Sequence, residues 1–300
     1  MDMNMQTFIH LGILGMTHTA ILLLLLAGGL LTASTFKICA FNIRSFGRAK
    51  ASNRKVMGTL VQILSRCDIS AVQEVRDARG SAIRILLREL NRHDSSHHYR
   101  HLESKRLGRG SYKEQMVFVY RKDIVSVIDW CQLGDSEAFV RAPFAARFRS
   151  SYTAILEFVL LLHHASPREA AHELDLLFEV CMELMQKWKT ENVMVLGDLN
   201  AAGAYVPASA WAGIRLRNNP AFHWLISDAV DTTVSHRTCC AYDRIIVHGE
   251  ELLAAVVPGS AKPFNFTEVL RLTEEEALEV SDHYPVEVNL QLSPKAQREL

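Results

Sequence analysis

Apolar runs of strand length recur along the chain, broken by two clear helical stripes and by polar stretches that gather at the ends of the runs. Phe36 to Ile43 alternates in part and predicts a buried strand ending at Asn42. Asn53 to Arg66 sets Val56, Leu60, Ile63 and Leu64 on one stripe and predicts a helix. Ile69 to Val75 reads as a strand closing on Gln73-Glu74, and Ser81 to Leu90 as a helix. Asn91 to Arg109, polar and rich in His and Arg, reads as a loop. Met116–Tyr120 and Ile124–Trp130 look like the two arms of a hairpin, and Tyr152 to Leu162 like a long strand that delivers His163-His164. Pro167 to Trp188 is the longest helix, with proline near its first turn, where the missing N–H costs nothing.

The second half continues in the same way. Val193 to Leu196 is a strand ending in Gly197-Asp198-Leu199-Asn200, followed by a loop and short helices around Trp211 and Trp224. Tyr242 to Val247 is a strand with polar groups at its start, and Val286 to Leu292 closes the pattern. Strands interspersed with few long helices, without a linker or a short-period repeat, predict an α/β layered sandwich in one domain from about Thr35 to Ser293. Residues 294–300 are then a short tail. Asn42, Glu74, His164, Asp198, Asn200, Asp243, Asp282 and His283 all fall at strand ends, which places them along one rim.

Composition narrows this little. Hydrophobic residues make up 49% and charged residues 22%, as in a globular protein with a sizeable core. Lysine plus arginine and aspartate plus glutamate number 33 each, so no global basic field exists to hold a polyanion; a local patch or metal ions would have to do so. Residues 1–34 read as a cleaved signal peptide: Ala20 to Leu31 is apolar, and Ala33 and Ser34 suit a peptidase site. The apolar core is short for a membrane span, although residues 1–19 carry no Lys or Arg. Met16 offers an alternative start, and an uncleaved anchor reaching back to Phe8 is the rival reading. Six cysteines in a secreted chain invite disulfides, although Cys39 and Cys67 lie in apolar runs where a buried free thiol is the plainer reading; Asn265-Phe266-Thr267 is a glycosylation sequon.

The candidate chemistry lies on the rim. Glu74 is a hard oxygen ligand for Mg²⁺ or Ca²⁺, or a solvated strand terminus; Asp198 and Asn200 are a metal and phosphate site, or turn residues. His164 alone reads as a satisfied histidine, Glu114 as a surface charge, and Asp282-His283 as an ordinary acid–His pair. Together, two histidines with carboxylate partners suit phosphodiester hydrolysis, which must activate water, stabilise a charged phosphoryl group and protonate a leaving oxygen. His93, His97, His98 and His101 are unevenly spaced and read as a solvated loop, and His163 as a bystander. Arg100, Lys105, Arg106, Arg109 and Lys113 form the best basic patch, suited to attracting phosphate.

These residues carry a resemblance. Asn42-Ile43-Arg44-Ser45-Phe46-Gly47, Gln73-Glu74-Val75-Arg76-Asp77, Ser111-Tyr112-Lys113-Glu114, Gly197-Asp198-Leu199-Asn200-Ala201, Ala241-Tyr242-Asp243-Arg244 and Ser281-Asp282-His283-Tyr284-Pro285 resemble the deoxyribonuclease I family, collinearly from about residue 36 to 292. The resemblance implies a four-layer sandwich, with two central mixed β-sheets packed together and helices on the outer faces. It implies a secreted endonuclease that hydrolyses double-stranded DNA with little sequence preference, using Mg²⁺ and Ca²⁺ or Mn²⁺ and leaving 5′-phosphate ends. Glu114–His164 and Asp243–His283 are the implied catalytic pairs, and Asn42, Glu74, Asp198 and Asp282 the metal and phosphate positions. Arg76, Arg109, Tyr112, Arg141, Asn200, Tyr205 and Tyr242 match contacts to phosphate or the DNA backbone, which position a duplex without reading its sequence.

Departures are equally specific. Gly110 stands where the family has Asn, and Gly203 replaces a Cys, so Cys240 lacks its implied disulfide partner. The Cys131–Val140 loop is shorter than in deoxyribonuclease I itself, which points to a paralogue. Asp231 and Thr233 resemble a structural Ca²⁺ loop, with Arg237 where oxygen ligands are expected. Glu103 replaces an apolar actin contact, so strong actin inhibition is not expected; a monomer without a stable membrane span is. The alternatives are a catalytically weak DNase-fold binding protein and another superfamily phosphodiesterase such as a sphingomyelinase, the latter disfavoured by Arg76 and Tyr112.

Overall fold

The computed structural model describes residues 35–133 and 138–298, so the expected signal peptide lies outside the described residues. Twelve strands run in chain order: β1 Phe36–Phe46, β2 Ile69–Val75, β3 Tyr99–Glu103, β4 Gln115–Arg121, β5 Ser126–Gln132, β6 Phe144–Arg149, β7 Glu157–Leu162, β8 Val193–Asp198, β9 Phe222–Trp224, β10 Asp243–His248, β11 Lys262–Pro263 and β12 Val286–Leu290. The helices are α1 Arg48–Ser52, α2 Arg54–Leu64, α3 Ser81–His93, α4 Ala170–Trp188, α5 Arg215–Asn218, α6 Glu250–Ala255, α7 Phe266–Val269, α8 Glu274–Val280 and α9 Pro294–Arg298.

The strands form two six-stranded sheets, in the orders β11-β12-β1-β2-β4-β3 and β5-β6-β7-β8-β10-β9. Both are mixed, with β1 parallel to β2 in the first and β7 parallel to β8 in the second. Their period-two alternation builds three cores. Phe36, Ile38 and Ala40 meet Phe158, Leu160 and Leu162 between the sheets. Phe41 and Ile43, on the opposite face of β1, pack on Leu60 of α2 and Leu86 of α3. On the second sheet, Val159, Leu161 and Val195 pack on Leu174, Leu177 and Leu184 of α4. Helix, sheet, sheet and helix make the four layers expected.

Four local readings differ. Met116–Tyr120 and Ile124–Trp130 are no hairpin: β4 pairs with β2 and β3, while β5 pairs with β6 in the other sheet. The short connection crosses between layers, and pairing partners are not written in local periodicity. The loop-like stretch from Asn91 to Arg109 contains β3, an edge strand whose polar Arg100 and Glu103 face solvent. Tyr152–Leu162 is strand only from Glu157. Cys39 and Cys67, read as free thiols, form a disulfide with Cα atoms 6.1 Å apart.

Candidate active site

The rim begins with a distortion of the first sheet. The β1–β2 register shifts between Asn42 and Phe46, and the β2–β4 register between Val72 and Val75. Of the six non-glycine residues with positive φ among the described residues, Arg44, Ser45, Glu74 and Asn200 lie here. Each left-handed residue costs about 1–2 kcal/mol, which the packed sheets around it sustain. The irregularity at Glu74 (φ 60°) accompanies its contact with Asn42 Nδ2, which donates to Glu74 Oε1 at 3.1 Å, and with Ser45 N, which donates to Oε2 at 2.8 Å.

The two acid–histidine pairs face each other across the sheets. His164, just beyond β7, donates from Nδ1 to Glu114 Oε1 at 2.5 Å. His283, just before β12, donates from Nδ1 to Asp243 Oδ2 at 2.8 Å. Both Nε2 atoms then point to one oxygen, Asp198 Oδ2, at 3.5 Å each. Asn42 Nδ2 donates to that same oxygen at 3.0 Å, and Asn200 N to Asp198 Oδ1 at 3.1 Å. Each linked pair takes one member from each sheet: Glu114 with His164, His283 with Asp243, and Asn42 with Asp198.

Burial and charge oppose each other throughout the site. Burial pulls His164 down, but the charge and hydrogen bond of Glu114 win and raise it; burial pushes Glu114 up, and His164 holds it below the usual carboxylate value. Burial likewise works against charged His283, yet Asp243 and Asp198 raise it to about 10. Burial outweighs the His283 charge for Asp243, whose carboxyl rises, whereas Asp198 is held low against burial by the two imidazolium charges. With two carboxylates facing its ring, His283 keeps the proton of its pair.

The chemistry of the donor set suits a hard cation. Asp198, Asp243 and His283 present ligand atoms within 4.8 Å of one another. Two buried carboxylate oxygens, Asp243 Oδ1 and Glu114 Oε2, have no hydrogen-bond partner. An orphaned buried carboxylate oxygen is costly unless something positive meets it. Asp282, also expected here, contacts none of these carboxylates; Arg44 Nε lies 3.8 Å from its Oδ2.

The remaining expected residues divide by exposure. Arg76 stacks its guanidinium 3.7 Å over the Tyr112 ring and donates to Ser45 Oγ at 3.1 Å. Tyr112 and Tyr205 are exposed, Arg109 is exposed, and the Tyr205 and Tyr242 rings lie 5.3 Å apart. Arg141, expected at the DNA backbone, is 8% exposed, with Nε 3.1 Å from Glu114 Oε1 and Nη1 donating to His164 O at 3.1 Å. Asn200 Nδ2 donates to Ala165 O at 3.0 Å. At the calcium-like loop, Asp231 Oδ1 accepts from Thr233 N, Thr233 Oγ1 and Cys240 N.

Several residues that position the site escaped the sequence reading. Thr232 Oγ1 donates to Asp243 Oδ2 at 2.8 Å, which orients that carboxylate for His283. Gln73 spans the sheets, its Nε2 donating to His163 O and its Oε1 accepting from Asp198 N. His163, expected to be a bystander to the chemistry, is fully buried, and its Nε2 meets Glu173 Oε2 at 2.9 Å. Lys50 donates to Ile43 O, Arg44 O and Val280 O, and burial with Arg44 pushes it down to about 8. Only Gln73 carried a signal, beside Glu74 at a strand end.

Comparison with known proteins gives the family. Residues 39–283 match the Endonuclease/Exonuclease/phosphatase family. Deoxyribonuclease-1 of Sus scrofa is 48% identical over 274 residues, covering 89% of this chain and 96% of the relative. Deoxyribonuclease gamma of Homo sapiens is 44% identical over 278 residues, covering 90% and 91%. Among solved structures, an endonuclease/exonuclease/phosphatase from Bacteroides vulgatus superposes with a TM-score of 0.58 at 19% identity, covering 87% of this chain and 100% of that one. The human Nocturnin catalytic domain with bound sulfate gives 0.59 at 14%, covering 86% and 95%. The structural likenesses carry the fold, and the curated relatives carry the family: the chain belongs to the deoxyribonuclease I family, within the endonuclease/exonuclease/phosphatase superfamily.

Proposed function

We propose that this deoxyribonuclease is a secreted, divalent-cation-dependent endonuclease that nicks double-stranded DNA with little sequence preference and leaves 5′-phosphate ends. One arrangement supports the reading above all: two acid–histidine pairs whose free Nε2 atoms converge on Asp198 Oδ2. In-line attack at phosphorus needs a base on one side and an acid on the other. Of His164 and His283, one in its neutral form takes a proton from water, and the other, protonated, gives one to the leaving 3′ oxygen. Glu114 and Asp243 fix the tautomers and set the basicity.

Glu74 and Asp198, both bonded by Asn42 Nδ2, would hold Mg²⁺ or Ca²⁺ together with the orphaned Asp243 oxygen, with Asp282 further out beside Arg44; the ion when bound offsets charge on the phosphoryl oxygens. Asn200 serves as a phosphate contact. Arg76, Arg109, Tyr112, Tyr205 and Tyr242 face the duplex backbone, consistent with positioning rather than base reading. Arg141 holds Glu114 and His164 together beneath them.

Entry into the secretory pathway through residues 1–34 accords with the sequon. Asn265 is exposed; its Oδ1 caps α7 by accepting from Glu268 N, and its Nδ2 donates to Glu268 Oε2 at 3.5 Å at the surface, where a glycan can reach it. Supercoiled plasmid incubated with the folded protein and Mg²⁺/Ca²⁺ should be nicked, and chelator should stop it. Absence of chelator-sensitive nicking across neutral pH would refute the reading.

A further inference from the structure

A groove of about 920 Å³ crosses the outer face of the helical layer, lined by α2, α3 and the segment around α7, well away from the acid–histidine pairs. Its floor is apolar, with Met57 and Val61 from α2, Ile85 from α3 and Leu270 beyond α7. Val269 stands on its edge at 60% exposure.

The walls are cationic. Arg54, Arg66, Arg88 and Arg92 line the groove, with Glu89 the single acid among its lining residues. Glu89 is shared between Arg88 and Arg92, so one carboxylate serves two guanidinium groups that stay 63% and 71% exposed. Arg54 has no partner for its guanidinium among the described residues. Arg66 is neutralised by Glu287 and lies over Phe264. The excess of positive charge lies beside an apolar strip, an arrangement that solubility alone does not require.

Gly58 adds an independent observation. It sits in the middle of α2, where glycine costs about 1 kcal/mol relative to alanine. A Cβ there would meet nothing within 4 Å, and its φ is not left-handed, so neither packing nor backbone conformation within the chain calls for glycine. Its missing side chain leaves the α2 backbone open to close approach from outside.

We propose that this groove docks an acidic amphipathic helix of a partner protein, its apolar residues on Met57, Val61 and Ile85 and its carboxylates on Arg54, Arg88 and Arg92. The eleven residues of α2 span ~16 Å, about three turns of a docked helix. Helix-in-groove recognition uses apolar anchors at i, i+3, i+4 and i+7, with flanking charge setting specificity. A membrane surface fits less well, because the apolar strip is concave and does not protrude. A DNA duplex matches the charge and has nothing to place on the apolar floor.

The probe is a fluorescein-labelled helical peptide of about 15 residues, long enough for the groove, with Leu at those anchor spacings and Glu elsewhere. Its control is the same peptide with Lys for Glu. Anisotropy with the full chain should show saturable binding of the Glu peptide, favoured roughly tenfold or more over the Lys peptide. Gly58→Leu, which fills the floor while improving helix propensity, should weaken binding by a similar factor, as should Arg88→Glu with Arg92→Glu. Plasmid nicking should be unchanged in both variants. Unaltered peptide binding in Gly58→Leu, equal binding of the Lys peptide, or sedimentation with phosphatidylserine vesicles in place of peptide binding would each overturn the proposal.

Discussion

Asn42 Nδ2 donates to Asp198 Oδ2 across 3.0 Å, a hydrogen bond that ties the first sheet to the second at the point where both histidines converge. Asn42 is buried, and its Oδ1 is also used, by Arg44 N. Asn42→Ala removes a donor from a buried carboxylate and should cost about 1–3 kcal/mol of stability, read from urea denaturation, with a larger proportional loss of nicking. A variant as stable and as active as the parent would show that this contact is dispensable.

Glu114→Gln keeps the shape but not the charge that raises His164. Its nicking rate should fall by about 10²–10⁴-fold, and the pH-rate limb governed by His164 should move to lower pH. Asp243→Asn should do the same to the limb governed by His283. Limbs that stay in place while the rate falls would show that the carboxylates act only in folding.

His283 links stability to pH. Its value rises from ~6.5 in an unfolded chain to about 10 in the fold, so the folded state holds the extra proton between them. That stabilisation is fully present below pH ~6.5 and drains as pH rises toward 10, by up to about 1.4 kcal/mol per pH unit. Melting curves of chelator-treated protein should therefore decline through this window, and His283→Gln should flatten the decline. An identical slope in the variant would contradict the assignment.

Gly110 is left-handed (φ 61°), and an added Cβ would meet nothing within 4 Å. Asparagine tolerates this conformation better than other side-chain-bearing residues. Gly110→Asn should restore an amide beside Tyr112 and Glu114 and lower the KM for DNA severalfold, with kcat little altered. A raised KM would mean that the open space, rather than the missing donor, serves the substrate.

At Gly203, a Cβ would lie 3.3 Å from Cys240 Sγ. Gly203→Cys should form a disulfide under oxidising conditions, visible as loss of a titratable thiol. Closing that loop is worth ~3–4 kcal/mol, less ~1–2 for a side chain at a left-handed φ. Since that Cβ would also lie 3.8 Å from the Tyr242 hydroxyl, the bridge should also disturb the Tyr205–Tyr242 pair. Unchanged free thiol in the variant would rule out the geometry.

The sequence was most legible where chemistry sits at strand ends. Asn42, Glu74 and Asp198 interrupt apolar runs near their ends and Asp243 opens one, and a polar group at the mouth of a buried strand has few places to go except a rim. Pairings across space were less legible. Nothing in the spacing of Cys39 and Cys67 brings them together; the parallel register of β1 on β2 does. Thr232 looks like an ordinary polar residue until folding sets it behind Asp243, and Glu173 until it meets buried His163. Arg244 is the extreme case: a fully buried arginine made tolerable by Asp228, Ile226 O and Ala201 O, none of them adjacent to it in sequence.

Because Glu114–His164, Asp243–His283 and Asn42–Asp198 each straddle the two sheets, neither sheet alone holds a complete pair. With the two sheets apart, both histidines lose their carboxylate partners and Asp198 loses Asn42. Hydrolytic competence is then a property of final assembly, switched on by burial of the inter-sheet core around Phe118, Phe144 and Phe158.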